Sequence, residues 1–183
     1  MIDISKYNYW LKEENMNDNE IVFREMYTRI GHIFHIIQMI EYNISNILAI
    51  EDFQKGRNMV LKEDELPDIK QRVEEKFTEL LKCTAGQLVY IVKSSSYLNS
   101  INADLFAHFV EHRNYLAHRC FKEKLLDNSL SNLESVDKFV DELNDFEVFI
   151  TDLNEKVSKI FEENKIKPVL VLRTNNGKKV SNW

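Results

Sequence analysis

Apolar side chains recur three and four residues apart over most of the chain, which is the period of an amphipathic α-helix. This spacing predicts a short helix over residues 3–16 and a long helix from Glu20 to about Phe53. The long helix carries an apolar stripe that neighbouring residues widen, so we expect it to be buried on more than one side. The stripe consists of Ile30, Ile33, Ile37, Ile40, Ile44, Ile47 and Leu48.

Four further helices follow from the same period and from capping signals. The predicted spans are about 66–82, 85–94, 102–124 and 130–164. The first of these begins at Leu66-Pro67, because proline is tolerated in the first turn of a helix. Thr84 precedes the second, and Gln87 stands three residues later, which is the spacing of a capping box.

The C-terminal residues have the pattern of β-strands rather than that of a helix. Residues 168–172 are β-prone, and Asn176-Gly177 is a strong two-residue turn signal, which predicts a hairpin. The 183-residue chain holds only 4 Gly and 2 Pro, too few for the many tight turns of a β-sandwich or barrel. The predicted fold class is therefore all-α, with one up-and-down helical bundle over residues 1–165 and a short C-terminal β-hairpin or tail over 166–183.

Charge and cysteine content narrow the functional classes. The 24 Lys and Arg against 30 Asp and Glu give a formal charge of −6, which excludes a general nucleic-acid coat but allows a small basic site. Cys83 and Cys120 are too few for a disulfide framework or a four-thiolate zinc site, and they indicate reduced thiols. The N-terminal residues lack the order of a secretion signal, and polar residues interrupt the apolar stretch from Ile30 to Ile50. A cytoplasmic protein without a membrane span is therefore expected.

The segment from Phe106 to Phe121 concentrates the candidate chemistry. On a helical wheel at about 100° per residue, Arg113 falls at the centre of the apolar face. Burying a guanidinium without partners is costly, so Arg113 must be paired or must face a cleft or an interface. Asn114 and His118 follow along one edge of that face, four residues apart, where the amide could orient the imidazole. A purely structural salt bridge of Arg113 is the alternative at this point.

The other histidines have simpler interpretations. His108 and His112 lie on the other flank of the same helix and are expected to face solvent. His32 and His35 are three residues apart on the long helix, but the paired Glu-X-X-His sets of a ferritin-like metal site are missing from the sequence. Core or interface positions are the default for these two, and no metal is expected. The four glycines are isolated, so the sequence contains no Gly-rich phosphate loop, and no cofactor is expected.

The run Arg113-Asn114-Tyr115-Leu116-Ala117-His118 resembles the Arg-X4–6-His motif of the HEPN superfamily (higher eukaryotes and prokaryotes nucleotide-binding domain). The run Thr84-Ala85-Gly86-Gln87-Leu88 also resembles a helix opening that precedes the motif in some members. The order of the predicted helices over residues 20–165 fits as well. The resemblance implies a small α-helical bundle. Many bundles of this kind are metal-independent ribonucleases of toxin–antitoxin, abortive-infection and other prokaryotic defence systems.

The resemblance also implies roles for individual residues. Arg113 would bind the scissile phosphate of an RNA, His118 would be the general base or acid for attack by the 2′-hydroxyl, and Asn114 would orient the site. Two motif helices would meet across the two-fold axis of a homodimer, which would account for an arginine on an apolar face. The local excess of basic residues adds Arg119 and Lys122 as candidate substrate-binding residues.

Two features leave alternatives open. In the subgroup that pairs with a nucleotidyltransferase antitoxin, the motif continues His-X-Tyr and that tyrosine is modified, whereas this sequence has Cys120 at the position. Regulation by that route is therefore not expected, while an antitoxin or another protein partner stays a candidate. Many members of the superfamily are also catalytically silent. The alternative function is thus an RNA-binding or protein-interaction module.

Overall fold

The computed structural model describes residues 18–54, 66–126, 132–164, 170–174 and 177–181. The described part is mostly helical, and the predicted all-α class is confirmed for it. The helices are α1 (Asp18–Gln54), α2 (Leu66–Leu80), α3 (Ala85–Ser94), α4 (Ala103–His118) and α5 (Leu133–Asn164), with a π-helical turn (Phe121–Leu126) after α4. The strands are β1 (Leu170–Thr174) and β2 (Gly177–Ser181).

Local signals in the sequence account for most of these boundaries. The long helix predicted from Glu20 to Phe53 is α1, which extends it by only a few residues. The predicted capping box is present, because the Thr84 hydroxyl accepts from the Gln87 backbone N–H and the Gln87 side chain accepts from the Thr84 N–H. The helix predicted over residues 3–16 lies outside the described residues.

The two strands pair antiparallel, with Thr174 opposite Gly177 and Leu170 opposite Ser181. Residues 175 and 176 separate the two strands in the sequence. Those two residues lie outside the described part of the chain, so the predicted Asn176-Gly177 turn stays a prediction.

The chain divides into two compact units. The first contains α1 up to Met39, then Leu105–Glu155 with most of α4, the π-helical turn and most of α5. The second contains Ile40–Asp104, with the rest of α1, α2 and α3, and the chain from Lys156 onward with the end of α5 and the two strands. The predicted single domain over residues 1–165 stays a prediction.

Each unit has its own apolar core, and the isoleucine stripe of α1 is buried in both. In the first unit, a carboxylate of α5 ties that helix to α1. Glu147 accepts from Arg29 Nη1 at 3.0 Å and from His32 Nδ1 at 2.8 Å. Arg29 Nη1 also donates to the Asn144 side chain at 3.0 Å. His32 and His35 are both exposed in the described structure, so the core position expected for them is wrong, and His32 meets α5 only at the surface.

Among the described residues, α1 is the helix that is long and apolar enough to cross a membrane. However, 56% of its most apolar window is buried inside the protein. A helix in the core of a soluble protein has the same length and composition, so this feature alone is weak evidence for a membrane span. A soluble protein is consistent with that burial.

Candidate functional site

The wheel predicted for α4 matches the burial of its side chains. Arg113 is half-buried, and most of the residues that surround it on the wheel are buried apolar ones, although Ala117 is exposed. The buried ones are Phe106, Phe109, Val110, Leu116 and Cys120. Leu105 and Phe121, at the two margins of the predicted apolar arc, are 42% and 46% exposed instead. The arginine therefore sits within a buried face whose edges reach solvent.

The guanidinium of Arg113 has a polar partner next to it in the sequence. Its Nη1 donates to the Asn114 side-chain oxygen at 3.2 Å. Arg113 is held by at least one further interaction as well. Asn114 thus orients the guanidinium, whereas the sequence had suggested that it would orient the imidazole of His118.

His118 is the last residue of α4 and is exposed. It makes no hydrogen bond or ion pair with the residues that the structure describes. Its imidazole is therefore available to a partner from outside the chain. Lys122 is likewise exposed, within the π-helical turn.

The helix predicted over residues 102–124 is an α-helix only as far as His118, and its last part is π-helical instead. The backbone N–H of Arg119 still reaches the carbonyl of Tyr115 at 2.9 Å, and the chain then forms the π-helical turn. A π-helical turn accommodates more residues per turn than an α-helix, so it rotates the side chains that follow. Contacts with α5 hold the π-helical turn in place. The Lys124 ammonium lies 5.0 Å from the centre of the Phe139 ring and 3.5 Å from the Glu142 carboxylate.

A cavity of about 300 Å³ opens between α4, the π-helical turn and α5 in the first unit. Its lining combines apolar walls with charged residues. The lining residues are Glu111, His112, Tyr115, Leu116, Arg119, Lys124, Phe139, Glu142, Leu143 and Phe146. Of the five predicted site residues, Arg119 lines this cavity, while Arg113, Asn114, His118 and Lys122 do not.

Arg119 stands beside the cavity over an aromatic ring. Its guanidinium carbon is 5.4 Å from the centre of the Tyr115 ring, and its Nε is 3.8 Å from a Glu123 carboxylate oxygen. Partial burial raises the pKa of Tyr115, and Arg119 opposes that effect. The phenol is therefore neutral at physiological pH and can donate a hydrogen bond. Burial also raises the pKa of the Cys120 thiol, which disfavours the reactive thiolate.

Sequence reasoning missed the aromatic cluster that His108 and His112 form with two phenylalanines of α5. The two imidazoles lie 4.1 Å apart, and His112 stacks on Phe146 at 5.0 Å with an interplanar angle of 25°. His108 also meets Phe149 edge-on at 5.1 Å. His112 is consequently half-buried rather than facing solvent as predicted. The sequence shows that His108 and His112 are four residues apart on one helix, but it does not show that they contact α5.

No group of three or more His, Cys, Asp or Glu side chains in the described ranges is placed to hold a metal ion. The chain matches no protein-family model, no curated protein and no solved structure.

Proposed function

We propose that the protein is a metal-independent endoribonuclease of a prokaryotic defence or toxin–antitoxin system. One observation carries the proposal. On the same helix, a half-buried guanidinium oriented by a neighbouring amide lies five residues before an exposed imidazole that has no partner in the described chain. Arg113 would bind the scissile phosphate and His118 would transfer the proton.

The chemistry needs no metal. The Arg113 guanidinium would neutralise the charge that develops on the phosphate oxygens as the 2′-oxygen attacks phosphorus. As the general base, a neutral His118 imidazole would take the proton from the 2′-hydroxyl. A protonated imidazole gives a proton to the 5′-oxygen as the phosphorus–oxygen bond breaks. The products are a 2′,3′-cyclic phosphate and a 5′-hydroxyl.

A second copy of the chain would complete the site. At about 100° per residue, the five-residue separation places Arg113 and His118 about 140° apart around the helix. A phosphate bound at Arg113 of one chain is thus reached more directly by His118 of a second chain. The exposed Leu105 and Phe121 on either side of the motif suit such a homodimer interface.

The hydrogen bond between Arg113 and Asn114 favours a second candidate function. A guanidinium already held within its own chain can serve to fix the helix alone. The protein would then be a catalytically silent HEPN-like module that binds RNA or another protein. The two candidates differ in whether RNA is cleaved and in whether His118 matters.

The test is cleavage of structured RNA by purified protein in the presence of a chelator. We expect fragments with a 2′,3′-cyclic phosphate and a 5′-hydroxyl, and we expect the cleavage rate to fall at least a hundredfold in His118→Ala and in Arg113→Ala. His35→Ala and Arg72→Ala, which change exposed residues elsewhere, are the matched controls and should cleave like the wild type. An RNA with a 2′-deoxy substitution at the cleaved position should resist.

Two results would contradict catalysis at this site. Cleavage that survives both Arg113→Ala and His118→Ala would place the activity elsewhere. A wild-type protein that binds RNA without cleaving it, and that keeps its affinity in His118→Ala, would support the silent module.

A further inference from the structure

We propose that the cavity between α4, the π-helical turn and α5 is a binding site for a small aromatic carboxylate. Neither Arg113 nor His118 lines the cavity, so the site is separate from the residues of the proposed cleavage step, and it shares only the candidate RNA-binding residue Arg119 with the predicted site. The cavity combines apolar walls with an opening, here called the mouth, at which the cationic side chains of Arg119 and Lys124 lie.

The apolar part is built from buried side chains of two helices. Leu116 of α4 and Phe139, Leu143 and Phe146 of α5 are buried in the protein and line the cavity. His112, stacked on Phe146, extends the aromatic wall. The volume of about 300 Å³ is at the small end for ligand pockets, which suits a ligand of one or two rings.

The cationic part comes from two lining residues at the end of α4 and in the π-helical turn. Arg119 precedes the π-helical turn and lies over Tyr115, while Lys124 is within the turn and lies over Phe139. π-helical turns are often found at functional sites, and this one contributes Lys124 to the lining of the cavity.

The cations at the mouth favour an anionic ligand over a cationic one. A cationic ligand would bind to aromatic faces, but Arg119 and Lys124 already cover the faces of Tyr115 and Phe139. The Arg119 side chain is 61% exposed, and its distance to Glu123 is 3.8 Å, longer than a hydrogen bond. Its planar fork of N–H donors therefore has room for a ligand carboxylate, which matches it in geometry.

The carboxylates at the mouth do not reverse this preference. Glu111 and Glu142 line the cavity, but both are exposed. Glu142 lies 3.5 Å from the Lys124 ammonium, so these two charges offset each other, and Arg119 is the cation that would receive the ligand carboxylate. Tyr115 also lines the cavity, and its neutral hydroxyl would donate a hydrogen bond to the anion. The ring of the ligand would lie against Leu116 and Leu143, with its carboxylate toward Arg119.

The test uses 2-naphthoate and the neutral, nearly isosteric 2-naphthamide as probes of the full-length protein. Amide chemical shifts followed by two-dimensional NMR locate the site and give both dissociation constants. For the wild type we expect shifts confined to residues 111–124 and 139–146, and a dissociation constant at least tenfold lower for 2-naphthoate. In Arg119→Gln the preference should disappear, while the matched control Arg72→Gln should retain it.

A second variant tests the cavity itself. Leu143→Phe adds volume at the wall, and both probes should bind at least fivefold more weakly. Equal affinity of the wild type for the two probes, or an unchanged preference in Arg119→Gln, would overturn the proposal. Shifts located outside the cavity, or no binding of either probe up to its solubility, would overturn it as well. Arg119 is exposed, so we expect Arg119→Gln to leave the fold intact. This variant therefore still tests the site if Leu143→Phe unfolds the protein.

Discussion

At the scale of single residues, a buried carboxylate organises the second unit. Glu51 of α1 is only 3% exposed, and it accepts hydrogen bonds from the Ser95 hydroxyl, the Ser96 hydroxyl and the Ser96 backbone N–H. The Ser95 hydroxyl in turn accepts from the Leu98 N–H at 3.1 Å. A buried charge is tolerated when donors surround it, so Glu51 fixes the segment that follows α3.

Removal of this carboxylate should destabilise the protein strongly. In Glu51→Ala three donors lose their acceptor inside the protein, and we expect the free energy of unfolding to fall by about 3 kcal/mol. Glu51→Gln keeps one side-chain acceptor and should cost about half as much. Urea denaturation measures both, with Asp52→Ala at the exposed neighbouring position as the control. A loss in Glu51→Ala no larger than that of the control would show that the hydrogen bonds do not stabilise the fold.

At the scale of elements, α3 depends on its N-terminal cap. The capping box of Thr84 and Gln87 satisfies two backbone N–H groups that the first turn would otherwise leave without partners. α3 is only 10 residues long, so each capping interaction is a large part of its local stability. We expect Thr84→Ala to lower the free energy of unfolding by about 1 kcal/mol.

The matched control for the cap is Thr78→Ala. Thr78 lies within α2, where its hydroxyl donates only to the Glu74 carbonyl of the same helix. Alanine has the higher helix propensity, so this substitution should leave stability unchanged or slightly raised. Equal losses in the two variants by thermal or urea unfolding would mean that the cap does not contribute.

The secondary-structure elements also show which structural features can be predicted from the sequence. α1 and the cap of α3 were predictable, because apolar spacing and a Thr-X-X-Gln pattern are local signals. The π-helical turn was not, since nothing in its own sequence breaks a helix and its geometry comes with Lys124 contacts to Phe139 and Glu142 on α5. The half-burial of His112 has the same origin, a contact with Phe146 that lies far along the chain.

At the scale of the whole molecule, the candidate site was only partly predictable. Arg113 stood out because a cation interrupted an apolar helical face, and the structure places it within buried neighbours as expected. Its hydrogen bond to Asn114 was not foreseen, because neighbouring residues on a helix do not ordinarily face each other. The cavity beside Arg119 depends on the packing of α4 against α5, which periodicity alone does not contain.

The last prediction concerns assembly and rests on the proposed ribonuclease site. If two motif helices meet in a homodimer, the exposed apolar Phe121 belongs to the interface. We then expect sedimentation equilibrium to give twice the chain mass of 21.7 kDa. Phe121→Asp should raise the dimer dissociation constant at least tenfold, because it places a charge in an apolar contact.

Val148→Asp supplies the matched control, since Val148 is a 57% exposed apolar residue of α5 in the same unit. It introduces the same charge at an exposed apolar position away from the motif, so its dimer constant and RNA cleavage should equal those of the wild type. In Phe121→Asp, cleavage should fall at protein concentrations where the dimer dissociates and recover at higher ones, because the composite site forms only in the dimer. A wild-type protein that sediments as a monomer while cleaving RNA would show that Arg113 and His118 of one chain suffice. If Phe121→Asp and Val148→Asp raised the dimer dissociation constant equally, the dimer interface would not be formed by the motif helix.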